Sequence, residues 1–102
     1  MSQVLNFVIE KKAEAVKSEL TAILAKEIQK PYVKITWENF VMTIKIEKMG
    51  TSEIKLTILE NQGACTISES KRNIAMMHKP FVGEVEKMVD DIMLKKLGAK
   101  KA

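Results

Sequence analysis

Residues 40–58, FVMTIKIEKMGTSEIKLTI, decide the fold. Apolar side chains recur there at every second position, and polar or smaller side chains fill most of the positions between them. This two-residue period is typical of β-strands that bury one face. The turn KMGT at residues 48–51 joins two such strands, and so short a connection favours antiparallel pairing. The apolar positions are Phe40, Met42, Ile44 and Ile46 before the turn, and Ile54, Leu56 and Ile58 after it.

Similar strands flank this hairpin on both sides. YVKIT at residues 32–36 precedes the turn WEN, and CTISE at residues 65–69 follows the turn ENQG. Residues 32–71 therefore predict a four-stranded antiparallel meander. Lysine, threonine and glutamate occupy the alternate positions, as expected for a sheet with one face in water.

Helical spacing predicts an amphipathic helix on each side of the meander. Apolar residues recur at three- and four-residue steps over residues 10–29 and again over residues 80–97. Pro31 ends the first helix, and Pro80 fits the first position of the second. Gly98 is a typical helix stop.

Residues 3–9, QVLNFVI, fit either a further strand or an extension of the first helix. We predict an α+β fold with an antiparallel meander sheet of four or five strands. Two helices pack on one face, and the element order is (β)αββββα. Residues 1–98 form a single domain in this prediction, and residues 99–102 form a flexible basic tail.

Composition narrows the classes of protein to consider. Cys65 is the single cysteine, so no intrachain disulfide can form, and we expect a reducing, cytoplasmic location. No apolar run approaches the roughly 20 residues that cross a bilayer, and residues 1–12 lack the basic region of a secretory signal.

The net charge of +4 comes from the C-terminal end of the chain. Lys95, Lys96, Lys100 and Lys101 supply the whole excess of cations over acids. A nucleic-acid surface needs clustered cations, so weak nucleic-acid binding through these lysines is our alternative function rather than the leading one.

The residues that could carry chemistry are few. Cys65 and His78 are the only possible cysteine–histidine pair, and we expect a buried Cys65 and a partly exposed His78 in a loop. A zinc site needs three or four ligands, and one cysteine with one histidine falls short of that number. Asp90 and Asp91 are neighbours on a helix, so their side chains diverge and cannot form an acid–base pair. We expect no enzymatic activity, no cofactor and no metal.

Apolar side chains near the last helix are the better functional candidates. Methionine adapts to irregular partners, so the methionines of this region could form a binding surface or a subunit interface; core packing is the alternative. Tyr32, Trp37 and Phe40 lie near the first hairpin and could pack in the core or contact a partner. We predict partner binding by Met77, Phe81, Met88, Met93 and Trp37, and a homodimer that shares the last helix or a sheet edge.

Two stretches, KITWENFVMTIKIEKMGTSEIKLTI and MMHKPFVGEVEKMVDDIML, resemble the small bacterial family of polyhydroxyalkanoic acid system proteins. The resemblance is carried by Trp37, Glu38, Gly50, Ile54 and Pro80. The chain departs from the family where Asn39-Phe40 replaces a glycine turn, and where the last helix uses lysine and methionine instead of arginine. The resemblance implies a non-enzymatic accessory protein of storage-polyester granules.

The leading prediction is thus a small, non-enzymatic accessory or binding protein. It would act through an apolar helix–sheet surface on a hydrophobic granule or a protein partner.

Overall fold

The structure is a computed structural model that describes residues 5–28 and 30–101. Two helices, α1 and α2, accompany six strands. A 3₁₀ segment, Met76–Phe81, leads into α2, and a π-helical segment, Ile92–Leu97, continues it. The elements are β1 (Asn6–Ile9), α1 (Ala13–Glu27), β2 (Val33–Glu38), β3 (Val41–Glu47), β4 (Thr51–Asn61), β5 (Ala64–Asn73), α2 (Val82–Asp91) and β6 (Lys100–Lys101).

All strands form one antiparallel sheet in the order β2-β3-β4-β5-β1-β6. The predicted α+β class, the antiparallel sheet and the two helices are confirmed, but the predicted number of four or five strands is wrong. The sixth strand lies in residues 99–102, which we predicted to be a flexible tail. Lys100 and Lys101 instead pair with Val8 and Phe7 of β1, and Ala99 is buried. Ala102 lies outside the described residues.

Residues 6–9 form a strand, which decides the ambiguity over residues 3–9 in favour of the strand. Leu5 precedes this strand without regular structure, and residues 3 and 4 lie outside the described residues. Phe7 and Ile9 are buried while Asn6 and Val8 are exposed, and Phe7 pairs with Ile67 of β5. The free edge of β5 supplies backbone partners that a helix at this place would leave unused.

Helix α1 lies across the sheet and buries Ala13, Val16, Leu20 and Leu24. It is shorter than the predicted range of residues 10–29. Lys12, at its N-terminus, provides no side-chain cap, and the Glu60 carboxylate of β4 accepts the Ala13 N–H at 2.7 Å instead. A carboxylate at this end also matches the helix dipole.

The predicted helix over residues 80–97 is divided into three parts: the 3₁₀ segment, α2 and the π-helical segment. Together, residues 76–97 are called the α2 arm. Pro80 lies inside the 3₁₀ segment, and the α-helical part begins only at Val82. Gly98, with φ of 84°, ends the arm as predicted, and the Ala99 N–H closes it on the Met93 carbonyl at 2.8 Å.

The core lies between α1, the π-helical segment and one face of the sheet. Val89, Ile92, Met93 and Leu97 bring the end of the arm into this core. The first half of α2 approaches the sheet less closely than α1 does, which leaves a gap beneath it. Among the described residues, no helix combines the length and apolarity needed to cross a membrane.

Candidate functional site: an apolar groove beneath the second helix

A groove of about 420 Å³ occupies the gap between the first half of the α2 arm and the end of the sheet formed by β2, β3 and β4. We call it the α2 groove. Its size lies within the range of small-molecule sites in proteins. The sheet side consists of Val33, Ile46, Ser52 and Ile54; the helix side of Ile74, Met77, His78, Phe81, Val82, Val85 and Met88; and the mouth of Lys30, Tyr32, Lys48, Met49 and Glu84.

The sheet side of the groove follows directly from strand register. Val33 pairs with Ile46, and Ile46 pairs with Ser52, so these three side chains form one row across β2, β3 and β4. Ile54 begins the next row on the same face, because alternate residues of a strand share a face. The row continues the core outward to a place where no helix covers it closely.

His78 and Ser52 form a buried polar cluster at one side of the groove. The Lys48 carbonyl can only accept, so His78 Nε2 carries the proton and donates to it at 2.5 Å. His78 Nδ1 then accepts from the Ser52 hydroxyl at 2.5 Å, and Ser52 Oγ accepts the Ala75 N–H at 2.8 Å. This Ser52–His78 cluster joins β4, the β3–β4 turn and the 3₁₀ segment.

The prediction of a partly exposed His78 in a loop is wrong, because His78 is only 5% exposed and lies in the 3₁₀ segment. A serine that donates to a histidine is also the arrangement of a nucleophile and its base. Ser52, however, is fully buried, and both ring nitrogens of His78 already have partners. The hydrogen bonds of the cluster therefore have a structural role: they fix the helix side of the groove against β4 and the β3–β4 turn.

Gly50 lets the β3–β4 turn approach the 3₁₀ segment closely. Its φ of 128° is one that side chains rarely adopt, and an added Cβ would lie 3.3 Å from Ala75 Cβ. The turn predicted at residues 48–51 is thus present, with the Lys48 N–H donating to the Gly50 carbonyl. Its glycine serves the packing of the groove as well as the turn.

Cationic and apolar groups share the mouth of the groove. Lys48 Nζ lies 4.9 Å and Lys30 Nζ 5.8 Å from the centroid of the Tyr32 ring. Neither ammonium group forms an ion pair with an acid in the part of the chain that is described. Met49, beside them in the turn, is 76% exposed. Exposed apolar surface next to unpaired cations is typical of a binding site rather than of a packed core.

The groove includes three of the five predicted partner-binding residues. Met77 and Phe81 are more than half exposed along it, and Met88 is half-buried there. Met93 does not belong to this surface, because it is 1% exposed within the core. The prediction missed Met49, although an apolar residue in a turn was a visible signal. It also missed Ile74 and Val85, which no feature of the sequence separates from core residues.

Trp37 lies outside the groove, half-buried against the core. Lys17 of α1 covers it: the ammonium group lies 5.3 Å from the Trp37 ring centroid and 5.4 Å from that of Phe40, and it donates to the Asn39 carbonyl. Packing beneath a lysine is the structural alternative for these aromatics. Tyr32 is separate from them, at the groove mouth.

Cys65 and His78 have different partners. The Cys65 thiol donates to the Lys11 carbonyl at 3.0 Å and is buried, as predicted. Burial raises the pKa of the Cys65 thiol, and the nearby Glu60 carboxylate raises it further. A thiol held protonated is a poor nucleophile. Within residues 5–28 and 30–101, no three histidine, cysteine or acidic side chains come together as metal ligands.

Three of the four lysines that carry the net charge lie beside carboxylates. Lys96 contacts Glu27 at 3.3 Å, Lys101 contacts Asp90 at 2.9 Å, and Lys95 contacts Asp91 at 3.9 Å. The last of these pairs joins residues four positions apart along the helical segment. The basic end of the chain is thus interleaved with acids and does not form a uniform cationic surface.

Arg72 of β5 holds the outer side of α2. Its guanidinium contacts Glu69 at 2.6 Å and Glu86 of α2 at 3.3 Å, with all three side chains largely buried. Burial by itself lowers the pKa of Arg72, but the two carboxylates outweigh it and the pKa is raised. This ion-pair network fixes α2 on the side away from the groove.

Comparison of the chain with known protein families and with curated proteins finds no match.

Proposed function

We propose that the protein is a small, non-enzymatic binding protein that holds an apolar partner in the α2 groove. The supporting observation is the concentration of exposed large apolar side chains around one concavity. Met49, Met77 and Phe81 are each more than half exposed, and all three line the groove. Isolated exposed apolar residues are normal on proteins, but a set that surrounds a preformed cavity is typical of a binding site.

A binding role agrees with the chemistry of the lining. The polar groups on the inner part of the groove are Ser52 and His78, and their hydrogen bonds are made to each other and to the backbone. They fix the shape of the groove and leave apolar side chains to contact an occupant. A cytoplasmic location belongs to the same proposal, supported by the single, buried, unpaired cysteine.

The alternative of nucleic-acid binding has weaker support, because three of the four lysines that suggested it lie beside acids of the same chain. Association with storage-polyester granules remains a prediction that only the resemblance of the two quoted stretches supports.

Nile red, a neutral apolar dye whose fluorescence rises in apolar sites, tests the proposal. We expect the protein to bind it, and Phe81→Asp and Met49→Asp to weaken binding by about tenfold each, since each places a charge at an apolar contact. Both side chains are mostly exposed, so the fold should tolerate both substitutions. Leu59→Asp is the matched control, because Leu59 is 60% exposed on β4 and does not line the groove.

The proposal is supported if the two groove variants lose the dye while Leu59→Asp keeps it, with unchanged circular dichroism in all three. Absence of dye binding by the native protein overturns it. Equal loss in all three variants, or no loss in the groove variants, overturns it as well, because the dye would then bind elsewhere.

A further inference from the structure

We infer that the occupant of the α2 groove is a fatty acid, with its carboxylate between Lys30 and Lys48 and its chain along Val33, Ile46 and Ile54. This inference rests on the proposed function and names the class of ligand. It comes from the distribution of charge at the groove, where the two lysines of the mouth outnumber the single carboxylate, Glu84, and the inner lining is mostly apolar.

Lys30 and Lys48 place two like charges against one aromatic ring. Their ammonium groups lie 5.8 and 4.9 Å from the centroid of Tyr32, and no acid pairs with either one among the described residues. Because both ammonium groups lie within about 6 Å of the same ring centroid, a carboxylate near both of them would offset their mutual repulsion.

The apolar part of the lining selects the rest of the ligand. Beyond the mouth, the row Val33–Ile46 and the neighbouring Ile54 face Val85 and Met88 of α2. The buried hydroxyl and imidazole of the Ser52–His78 cluster have partners already, so this surface offers an occupant no free hydrogen-bonding group at that point. Glu84 of α2 also lines the mouth, so the lining carries two ammonium groups against one carboxylate, and this net charge favours an anion. A flexible aliphatic chain with one anionic end fits this arrangement.

Displacement of Nile red by fatty acids of increasing length is the test. We expect octanoate, decanoate and dodecanoate to bind progressively more tightly, by about threefold to fourfold for each methylene that enters the groove. Dodecanol should bind more weakly than dodecanoate, because it lacks the charge. Added salt should weaken dodecanoate binding and leave dodecanol binding unchanged.

Lysine variants identify the head-group site. Lys30→Met and Lys48→Met should each weaken dodecanoate about threefold without affecting dodecanol. Lys71→Met is the control, since Lys71 is an exposed lysine of β5 outside the groove.

If the dye binds the groove but dodecanoate fails to displace it, or displaces it no better than dodecanol, the inference is wrong while the proposed function stands. Displacement only by an amphipathic peptide, or by self-association, likewise overturns the fatty-acid inference alone. If the dye does not bind the groove at all, both fail.

A second inference comes from the edge of the sheet and is independent of the groove. We propose that two copies of the chain pair through β2, antiparallel and centred on Thr36. Within the described residues, no strand pairs with the outer edge of β2. Such an edge is a ready template for another strand.

The backbone of β2 determines which residues face outward. The Glu47 N–H donates to the Tyr32 carbonyl at 2.8 Å, and the register with β3 continues without a shift to Glu38↔Val41. Backbone groups alternate along a strand, so Val33, Ile35 and Trp37 turn their N–H and C=O groups away from β3. These are the groups available to a second copy.

A twofold axis at Thr36 satisfies both backbone and side chains. It places Ile35 opposite Trp37 of the second copy, so that outward-facing backbone groups meet and form hydrogen bonds. The same register places Lys34 opposite Glu38 of the second copy, in a position where cross-strand side chains are close. Lys34 has only a distant intrachain partner, Glu47 at 3.9 Å. A strand whose charges complement its own reversed copy suits a symmetric dimer.

Charge reversal and cross-linking test this dimer in the full chain. Glu38→Lys should weaken the dimer by about tenfold in sedimentation equilibrium, and the combined exchange Lys34→Glu with Glu38→Lys should restore it to within about threefold. Thr36→Cys should give a disulfide-linked dimer under mild oxidation, because Cα atoms at such a symmetric pair lie about 4.5 Å apart.

Thr43→Cys is the matched control: Thr43 is the neighbour of Thr36 on β3 and lies one strand inside the edge. Thr43→Cys should form no disulfide-linked dimer under the same oxidation. A native chain that stays monomeric near 100 µM (roughly the concentration at which weak dimers form) overturns this proposal. Equal cross-linking of the two cysteine variants, or a charge exchange that fails to restore pairing, does the same.

Discussion

Removal of the Ser52 hydroxyl tests the structural role of the Ser52–His78 cluster. Ser52→Ala removes two hydrogen bonds, because the Ala75 N–H loses its acceptor and His78 Nδ1 loses its donor. Each buried group left without a partner costs about 1–3 kcal/mol. Because Ala75 is only partly buried, water can reach its N–H and replace part of the lost bond. We therefore expect Ser52→Ala to lower the free energy of unfolding by about 2–4 kcal/mol. That is a large part of the roughly 5–15 kcal/mol that stabilises a small domain.

Urea unfolding followed by circular dichroism measures this loss. With a denaturant dependence of about 2 kcal/mol per molar urea, the middle of the usual range, the midpoint should fall by roughly 1–2 M. Ser70→Ala is the control, because the Ser70 hydroxyl is exposed and water can replace its bonds to Thr57 and Lys55. Ser70→Ala should change the free energy of unfolding by no more than about 0.5 kcal/mol.

A double-mutant cycle isolates the bond itself. His78→Phe removes the ring nitrogen that needs Ser52, so the double variant Ser52→Ala with His78→Phe should lose less than the sum of the two single variants, by about 1 kcal/mol. A loss under about 0.5 kcal/mol in Ser52→Ala, or strict additivity of the two substitutions, would refute this coupling. Either result would mean that the hydroxyl and the imidazole do not depend on each other.

Three further substitutions or reactions test other contacts. Glu60→Ala should destabilise the protein by about 1–2 kcal/mol, because the Ala13 N–H loses its long-range cap. Glu60→Gln keeps an acceptor for this N–H and should destabilise the protein by only about 0.3–1 kcal/mol. Urea unfolding of both variants separates the contribution of the hydrogen bond from that of the charge. Gly50→Ala should lower the free energy of unfolding by about 1–3 kcal/mol, because of its φ of 128° and the close Ala75. Gly83→Ala, in open space on α2, should raise the free energy of unfolding by about 0.5–1 kcal/mol. A change of the same sign in both variants would contradict this account. Cys65 should resist alkylation until the protein unfolds. Because its pKa is raised in the folded state, its stabilising contribution is present below the ordinary thiol pKa and is lost as the pH rises through the folded one, so the stability difference from Cys65→Ala should narrow in alkaline solution.

The meander could be predicted from the sequence because its information is local. Phe40 to Ile58 alternate in polarity, and the turn residues stand at the points where the chain reverses. The short strand β6 could not be found this way. Lys100 and Lys101 have no strand pattern of their own, and they pair only because β1 offers them an edge. The cap from Glu60 to Ala13 was not predictable for a similar reason, since the two residues are 47 positions apart.

The candidate site was predictable in part. Met77 and Phe81 were predicted as candidates because large apolar residues stood close to a helix start, and both line the groove. Met93 was misassigned because the sequence shows that a side chain lies on an apolar stripe, but not whether a partner element already covers it. The prediction for His78 was wrong because its partners are Ser52 and a backbone carbonyl, 26 and 30 positions away. A backbone carbonyl is present at every residue, so no sequence pattern can reveal it as the partner of a histidine.

In the proposed binding role, the position of the Ser52–His78 cluster couples stability to binding. Ser52 and His78 line the α2 groove, and their bonds to Ala75 and Lys48 also hold the 3₁₀ segment on the β3–β4 turn. A groove held open by core contacts costs an occupant little ordering, which favours binding of weakly interacting apolar chains. The same linkage works in reverse: an occupant at 100 times its dissociation constant adds about 2.7 kcal/mol to the free energy of unfolding. That gain is comparable with the loss expected for Ser52→Ala, so a saturating ligand should restore much of the stability of this variant if the groove survives the substitution. If the cluster alone positions the 3₁₀ segment, affinity falls with stability and the rescue is smaller in Ser52→Ala than in Ser70→Ala.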